Sequence, residues 1–97
     1  MILHTVNKSP FQQATLSQCL SLCDKEDGII LLEDGVYGAL RVNPQAKQLS
    51  MVQCFAIEAD LQTRGLLAKP LIEQINLIDF DDFVTLSCRY SQVLSWY

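Results

Sequence analysis

Between residues 28 and 35 the chain reads Gly28-Ile29-Ile30-Leu31-Leu32-Glu33-Asp34-Gly35, an unbroken apolar run held between a glycine and an acidic turn. A strand with one face in water alternates apolar and polar residues. A run without alternation is a strand covered on both sides, as parallel strands are when helices pack above and below. Asp34-Gly35 could close a hairpin, but Val36-Tyr37-Gly38-Ala39-Leu40 lacks the alternation of a returning strand. The expected continuation is therefore a loop followed by a short helix.

Working outward, the same signal recurs. Residues 2–6 are apolar and end at Asn7-Lys8-Ser9-Pro10, where serine can cap a helix and proline suits its first turn. Phe11 to about Cys23 carries core-facing residues at three- and four-residue steps (Phe11, Ala14, Thr15, Cys19, Leu22, broadened by Leu16, Leu20 and Cys23), which predicts a helix with a wide buried face. Residues 51–57 read as a second buried strand, and Ala59 to Gly65 as a short helix with Arg64 at its negative end and Gly65 as its stop. Residues 75–78 make another short strand. Asp79 to Tyr90 is a helix opened by acidic residues. The tail, Ser91 to Tyr97, carries Val93, Leu94 and Trp96 and must dock on the core or on a partner. Strands near 2–6, 28–33, 51–57 and 75–78, alternating with helices, predict an α/β fold: a small, open, mostly parallel sheet of about four strands with helices on both faces, in three layers.

With 97 residues the chain is expected to form a single domain, residues 1–97. Its apolar fraction is 49% against 19% charged, and its mean hydropathy is +0.18. That is rich for so short a chain and implies apolar surface covered by another chain. A net charge of −4 with seven Lys and Arg argues against direct nucleic-acid binding, which needs basic side chains to release counterions. No run is long enough to span a membrane, and the first residues lack a secretory signal, so the cytoplasm is the expected compartment.

Motifs for cofactor chemistry are missing. Neither G-x-G-x-x-G nor the P-loop pattern occurs; Gly35 and Gly38 stand at a strand exit, where ligands can bind, but turn glycines are the commoner reading. The one histidine, His4, sits in an apolar strand and reads as a packing residue rather than a general base. Cysteines stand at 19, 23, 54 and 88 without a C-x-x-C, and His4 is far from them in sequence; neither a metal site nor a cofactor is expected. Reduced thiols fit the composition better than disulfides. Cys54 in its strand reads as core, and Cys88 beside Arg89 has only a weak case for reactivity. Cys19 and Cys23 share one face of a helix, far from its positive end, and a disulfide across one turn would strain the backbone. From pattern alone Cys19 is a structural residue.

Several segments together resemble the TusB/DsrH family of the DsrE-like fold: Leu3-His4-Thr5-Val6-Asn7-Lys8-Ser9-Pro10, Leu31 to Ala39, Asp60-Leu61, Arg64-Gly65, Asp79 to Leu86, then Gln92 and Trp96. The resemblance runs in order along nearly the whole chain. It implies an open parallel α/β sheet and a place in a heterohexamer of two copies each of three related subunits. Such complexes pass persulfide sulfur from an upstream carrier protein to a downstream one, in one branch for 2-thiolation of the wobble uridine of tRNA, in the other (DsrEFH) during sulfur oxidation. The principal sulfur-carrying cysteine belongs to a larger subunit, so this chain is expected to be a non-catalytic or sulfur-carrier subunit rather than an independent enzyme. Cys19 falls where DsrH-type members carry a cysteine, which makes it the candidate persulfide carrier. Three readings follow: a relay subunit holding sulfur on Cys19, a purely structural interaction subunit, or a small-ligand binder using the loop around Gly35.

Overall fold

The computed structural model describes residues 1–97. Five strands form one parallel sheet in the order β4-β3-β2-β1-β5. They are β1 (Ile2–Val6), β2 (Gly28–Leu31), β3 (Gln53–Ile57), β4 (Asn76–Ile78) and β5 (Gln92–Trp96). Between them lie α1 (Thr15–Leu22), a 3-10 segment (Glu33–Ala39), α2 (Ala46–Leu49), α3 (Glu58–Thr63) and α4 (Phe80–Ser87). The parallel α/β architecture expected from the buried apolar runs is present. The strand count is five rather than four, because the tail that had to dock somewhere pairs as β5 along the free edge of β1, with Leu3 opposite Val93 and Val6 opposite Trp96.

The layering follows from the handedness of crossovers. Steps β1→β2→β3→β4 all move the same way across the sheet, so right-handed connections put their helices on one face. The return from β4 to β5 crosses the other way and puts α4 on the opposite face. The two cores divide accordingly. Leu16 and Cys19 of α1, Val36 and Ala39 of the 3-10 segment, Leu49 of α2 and Leu61 of α3 bury Val6, Ile29, Leu31, Cys54 and Ala56. Phe83 and Leu86 of α4, with Tyr90 beyond it, cover Leu3, Ile30 and Ile57. Ile29 and Leu31 face one helical layer and Ile30 the other, which is why the run cannot alternate.

Local rules account for the element ends. Asp79 accepts from the Asp82 backbone N–H at 2.7 Å and Asp82 accepts from that of Asp79 at 3.3 Å, a capping box that starts α4. Gly65 has φ +69; the Leu66 N–H returns to the Leu61 carbonyl and the Gly65 N–H to that of Gln62, closing α3 with both leucines buried. The first helix differs from expectation. Ser9 Oγ accepts from the Phe11 N–H, and the Ser9 carbonyl from Gln12 and Gln13, so Ser9 caps an isolated turn. Regular helix begins only at Thr15, because residues 11–14 are exposed and have no core to grip. Strand β2 stops at Leu31, two residues early, and Met51 lies exposed in a turn ahead of β3. Helix α4 ends at Ser87, short of Tyr90.

Gly35 has a packing reason. Its missing Cβ would fall on the backbone carbonyl of Val6, where the chain leaving β2 crosses the end of β1. Gly35→Ala is expected to cost on the order of 3 kcal/mol or more, since backbone must move rather than a side chain; a urea titration showing less than about 1 kcal/mol would contradict this packing account.

Candidate functional site

Residues at even positions of β1 face α1. His4 is one of them, 1% exposed, flanked in register by Ile29 of β2 and Leu94 of β5. Its Nδ1 accepts a hydrogen bond from Trp96 Nε1 at 2.9 Å. An indole nitrogen only donates, so in this arrangement Nδ1 carries the lone pair and Nε2 the proton. Nε2 then donates to Asp27 Oδ2 at 3.0 Å. The Asp27 carboxylate also accepts from the Ile2 N–H at 2.9 Å and the Asp24 N–H at 3.1 Å. Burial pushes this carboxyl up, but the hydrogen bonds from His4, Ile2 and Asp24 outweigh it and hold it below the ordinary carboxylate range.

Against this chain of polar groups lie two thiols. Sulfur atoms of Cys19 and Cys23 and a ring nitrogen of His4 all lie within 4.8 Å of one another. Sequence separation had set His4 apart from the cysteines; the sheet brings it to them, because α1 runs back over β1. Both ring nitrogens are engaged, so a cation held here would have to take one from Trp96 or Asp27.

The thiols are not equivalent. Cys19 is wholly buried, among Val6, Ile29, Leu31 and Cys54. Its sulfur lies within 4.8 Å of that of Cys23, and the pairing with that neighbour, together with burial, drives its thiol far above the usual range. Cys23 is half-buried at the end of α1. The hydrogen bond received from Cys19 lowers its thiol against the opposing effects of burial, Asp27 and Asp24. Cys54 is buried beneath and is pushed up to about 12 by desolvation. Cys88 is exposed at the end of α4, on the opposite face, with its sulfur 3.5 Å from the Val84 carbonyl. Cys23 lines a cleft of about 500 Å³ with Met1, Asp24, Lys25, Glu26 and Asp27, where the strands begin.

At the other end of the sheet, the strand exits carry no comparable cluster of reactive groups. Gly35 is occupied by its contact with Val6. Glu33, in the left-handed region at φ +51, donates its N–H to Asp60 at 2.7 Å, and Arg64 ties Asp60 to Asp34. A cleft of about 380 Å³ lies beside them, lined by Ser9, Phe11, Gln12, Asp34 and Tyr37. These contacts account for the loop residues as anchors between β2 and α3. No helix is long and apolar enough to cross a membrane.

An open parallel α/β sheet with two thiols gathered against β1 defines the general class, and comparison narrows it. The family described as "DsrH like protein" matches residues 8–93, and the chain belongs to that family. Protein TusB of Yersinia pestis (strain Pestoides F) is 37% identical over 97 residues, covering 98% of this chain and all of that protein. TusB of Yersinia pseudotuberculosis (strain IP 31758) matches equally well. Among solved structures, the ychN protein from E. coli superposes with a TM-score of 0.85 at 18% identity, covering 97% of each chain. MTH1491 from Methanobacterium thermoautotrophicum gives 0.76 at 11% identity, covering 97% of this chain and 96% of that one. These two likenesses establish the fold.

Asp27 carries a testable consequence. A carboxyl held below its unfolded-state value stabilises the fold at pH values above that value, about 4, and the contribution is lost as pH falls. Asp27→Asn would turn one acceptor into a donor facing another donor, at a cost of about 3 kcal/mol at neutral pH. Urea midpoints measured from pH 8 to 3 should fall steeply below about pH 4 in the parent chain and less steeply in the variant; parallel curves would contradict the assignment.

Proposed function

We propose that this chain is a subunit of a cytoplasmic sulfur-relay complex that passes persulfide sulfur between carrier proteins, serving 2-thiolation of the wobble uridine of tRNA. The observation that carries the reading is membership of the DsrH-like family over residues 8–93, joined by TusB relatives matched from end to end. Its partners are two related subunits, in a heterohexamer of two copies each, with upstream and downstream carrier proteins docking in turn. Relay chemistry needs an accessible thiol near a subunit boundary and little acid–base machinery. Cys23, half-buried just past the end of α1, is the more accessible thiol of the pair, and Cys19 takes part as its buried inner member.

Exposed apolar residues support assembly. Val93 and Leu94 on the edge strand are 45% and 44% exposed, and Tyr97 beyond them is 80% exposed. Phe80 and Val84 stand out from α4, at 54% and 64%. Surface of this kind, next to an unpaired strand edge, suits a permanent interface.

Co-expression with its two sister subunits should give a complex that survives gel filtration, with all three in equal amounts, and loss of this chain should abolish the 2-thio group in tRNA nucleoside analysis. Failure to co-purify would remove the relay reading. A complex that forms while tRNA thiolation is untouched would favour the sulfur-oxidation branch.

A further inference from the structure

The cysteine pair at the C-terminal end of α1 has an inner and an outer thiol, and only the outer one opens to solvent. Cys19 has no exposed surface and keeps its S–H within reach of its neighbour; the Cys23 sulfur lies within 4.8 Å of it and forms part of the wall of the cleft at the start of the strands. The surroundings of Cys23 otherwise disfavour a thiolate. It sits at the negative end of α1, with Asp24 and Asp27 on the loop beside it and Glu26 in the same cleft. Lys25 and the Met1 ammonium are the cleft's cations. From the sheet side come His4 of β1, its ring nitrogens held by Asp27 and Trp96, and the protonated thiol of Cys54 of β3. The group placed to favour a negative sulfur at position 23 is the buried Cys19 thiol, whose sulfur lies within 4.8 Å.

We propose that Cys23 is the sulfur-accepting thiol of this chain, with Cys19 beneath it as the positioning hydrogen-bond donor. The assignment rests on the relay reading for the nature of the donor, a protein or small-molecule persulfide. The Cys23 thiolate attacks the outer sulfur of R–S–SH. The S–S bond breaks, its electron pair leaves with R–S⁻, and Cys23–S–SH forms with the proton retained on the outer sulfur. One sulfane sulfur changes owner and no net oxidant or reductant is required. Cys19 stays reduced, and its S–H supports the thiolate before the transfer.

The test uses the full chain with glutathione persulfide as the probe, followed by alkylation and mass spectrometry. Cys19 and Cys23 share the tryptic peptide between Lys8 and Lys25, so fragment ions must separate them. One added sulfur on Cys23 is expected, and its loss in Cys23→Ser. Cys19→Ser keeps a hydroxyl donor and should load at close to the parent rate. Cys19→Ala lacks the donor; it should load at least about fivefold more slowly, with the alkylation midpoint of Cys23 moved to higher pH. Sulfur found on Cys19, Cys54 or Cys88, or loading that survives Cys23→Ser, would overturn the proposal. Equal rates in all Cys19 variants would overturn the role of Cys19. Loading on Cys23 in a chain that captures no sister subunits supports this site while removing the relay reading; a complex that relays sulfur unchanged with Cys23→Ser does the reverse.

Discussion

The Asp27 carboxylate holds together the part of the molecule where the first and last strands pair. It is buried, so its charge must be answered by donors. The donors come from the start of β1 through the Ile2 N–H, from the loop after α1 through the Asp24 N–H, and from His4. His4 passes the constraint on to Trp96, and so to β5, which has a neighbour on one side only. Three segments far apart in sequence are thereby fixed to one anion. Thr5 and Ser95 add a side-chain bond at 3.2 Å along the same strand pair. The C-terminal tail is thus held by polar bonds as well as by its ladder.

This arrangement shapes the chemistry of the thiols beside it. A histidine with both nitrogens spoken for is a poor general base, and the cleft offers Cys23 more carboxylates than cations. In the proposed transfer, support for a Cys23 thiolate comes from within the pair, from the Cys19 S–H beside it. A buried thiol that gives up its proton only reluctantly makes a good permanent donor. Such a design suits sulfur transfer, in which a thiolate is the nucleophile and no carbonyl or phosphate has to be activated. Membership of the DsrH-like family agrees with this economy of groups.

Part of this was legible from the residues alone. The unbroken run Ile29 to Leu32 announced a strand covered on both faces, since periodicity reports burial directly. The acidic residues from Asp79 onward and Arg64 with Gly65 marked helix ends, because capping is a matter between near neighbours. Ser9-Pro10 misled for the same reason. It does cap a turn, but whether a helix grows from a turn depends on what residues 11–14 pack against, and they pack against little. Cys19 was singled out through family likeness, while its complete burial, and the position of Cys23 above it, depend on how α1 lies on the sheet.

Sequence by itself determined the fold class and the places where the chain must turn, since both are set by burial patterns and backbone chemistry within a few residues. Tertiary structure alone decided that the tail is a fifth strand, that Asp27, His4 and Trp96 form one polar chain, and that His4 stands against Cys19 and Cys23. Each of those facts is a contact between segments up to 92 residues apart. The reason is physical: a residue's hydrogen-bond capacity is written in its identity, but its partner is chosen by topology. Here the right-handed return over the second face of the sheet brings β5 to the side of β1.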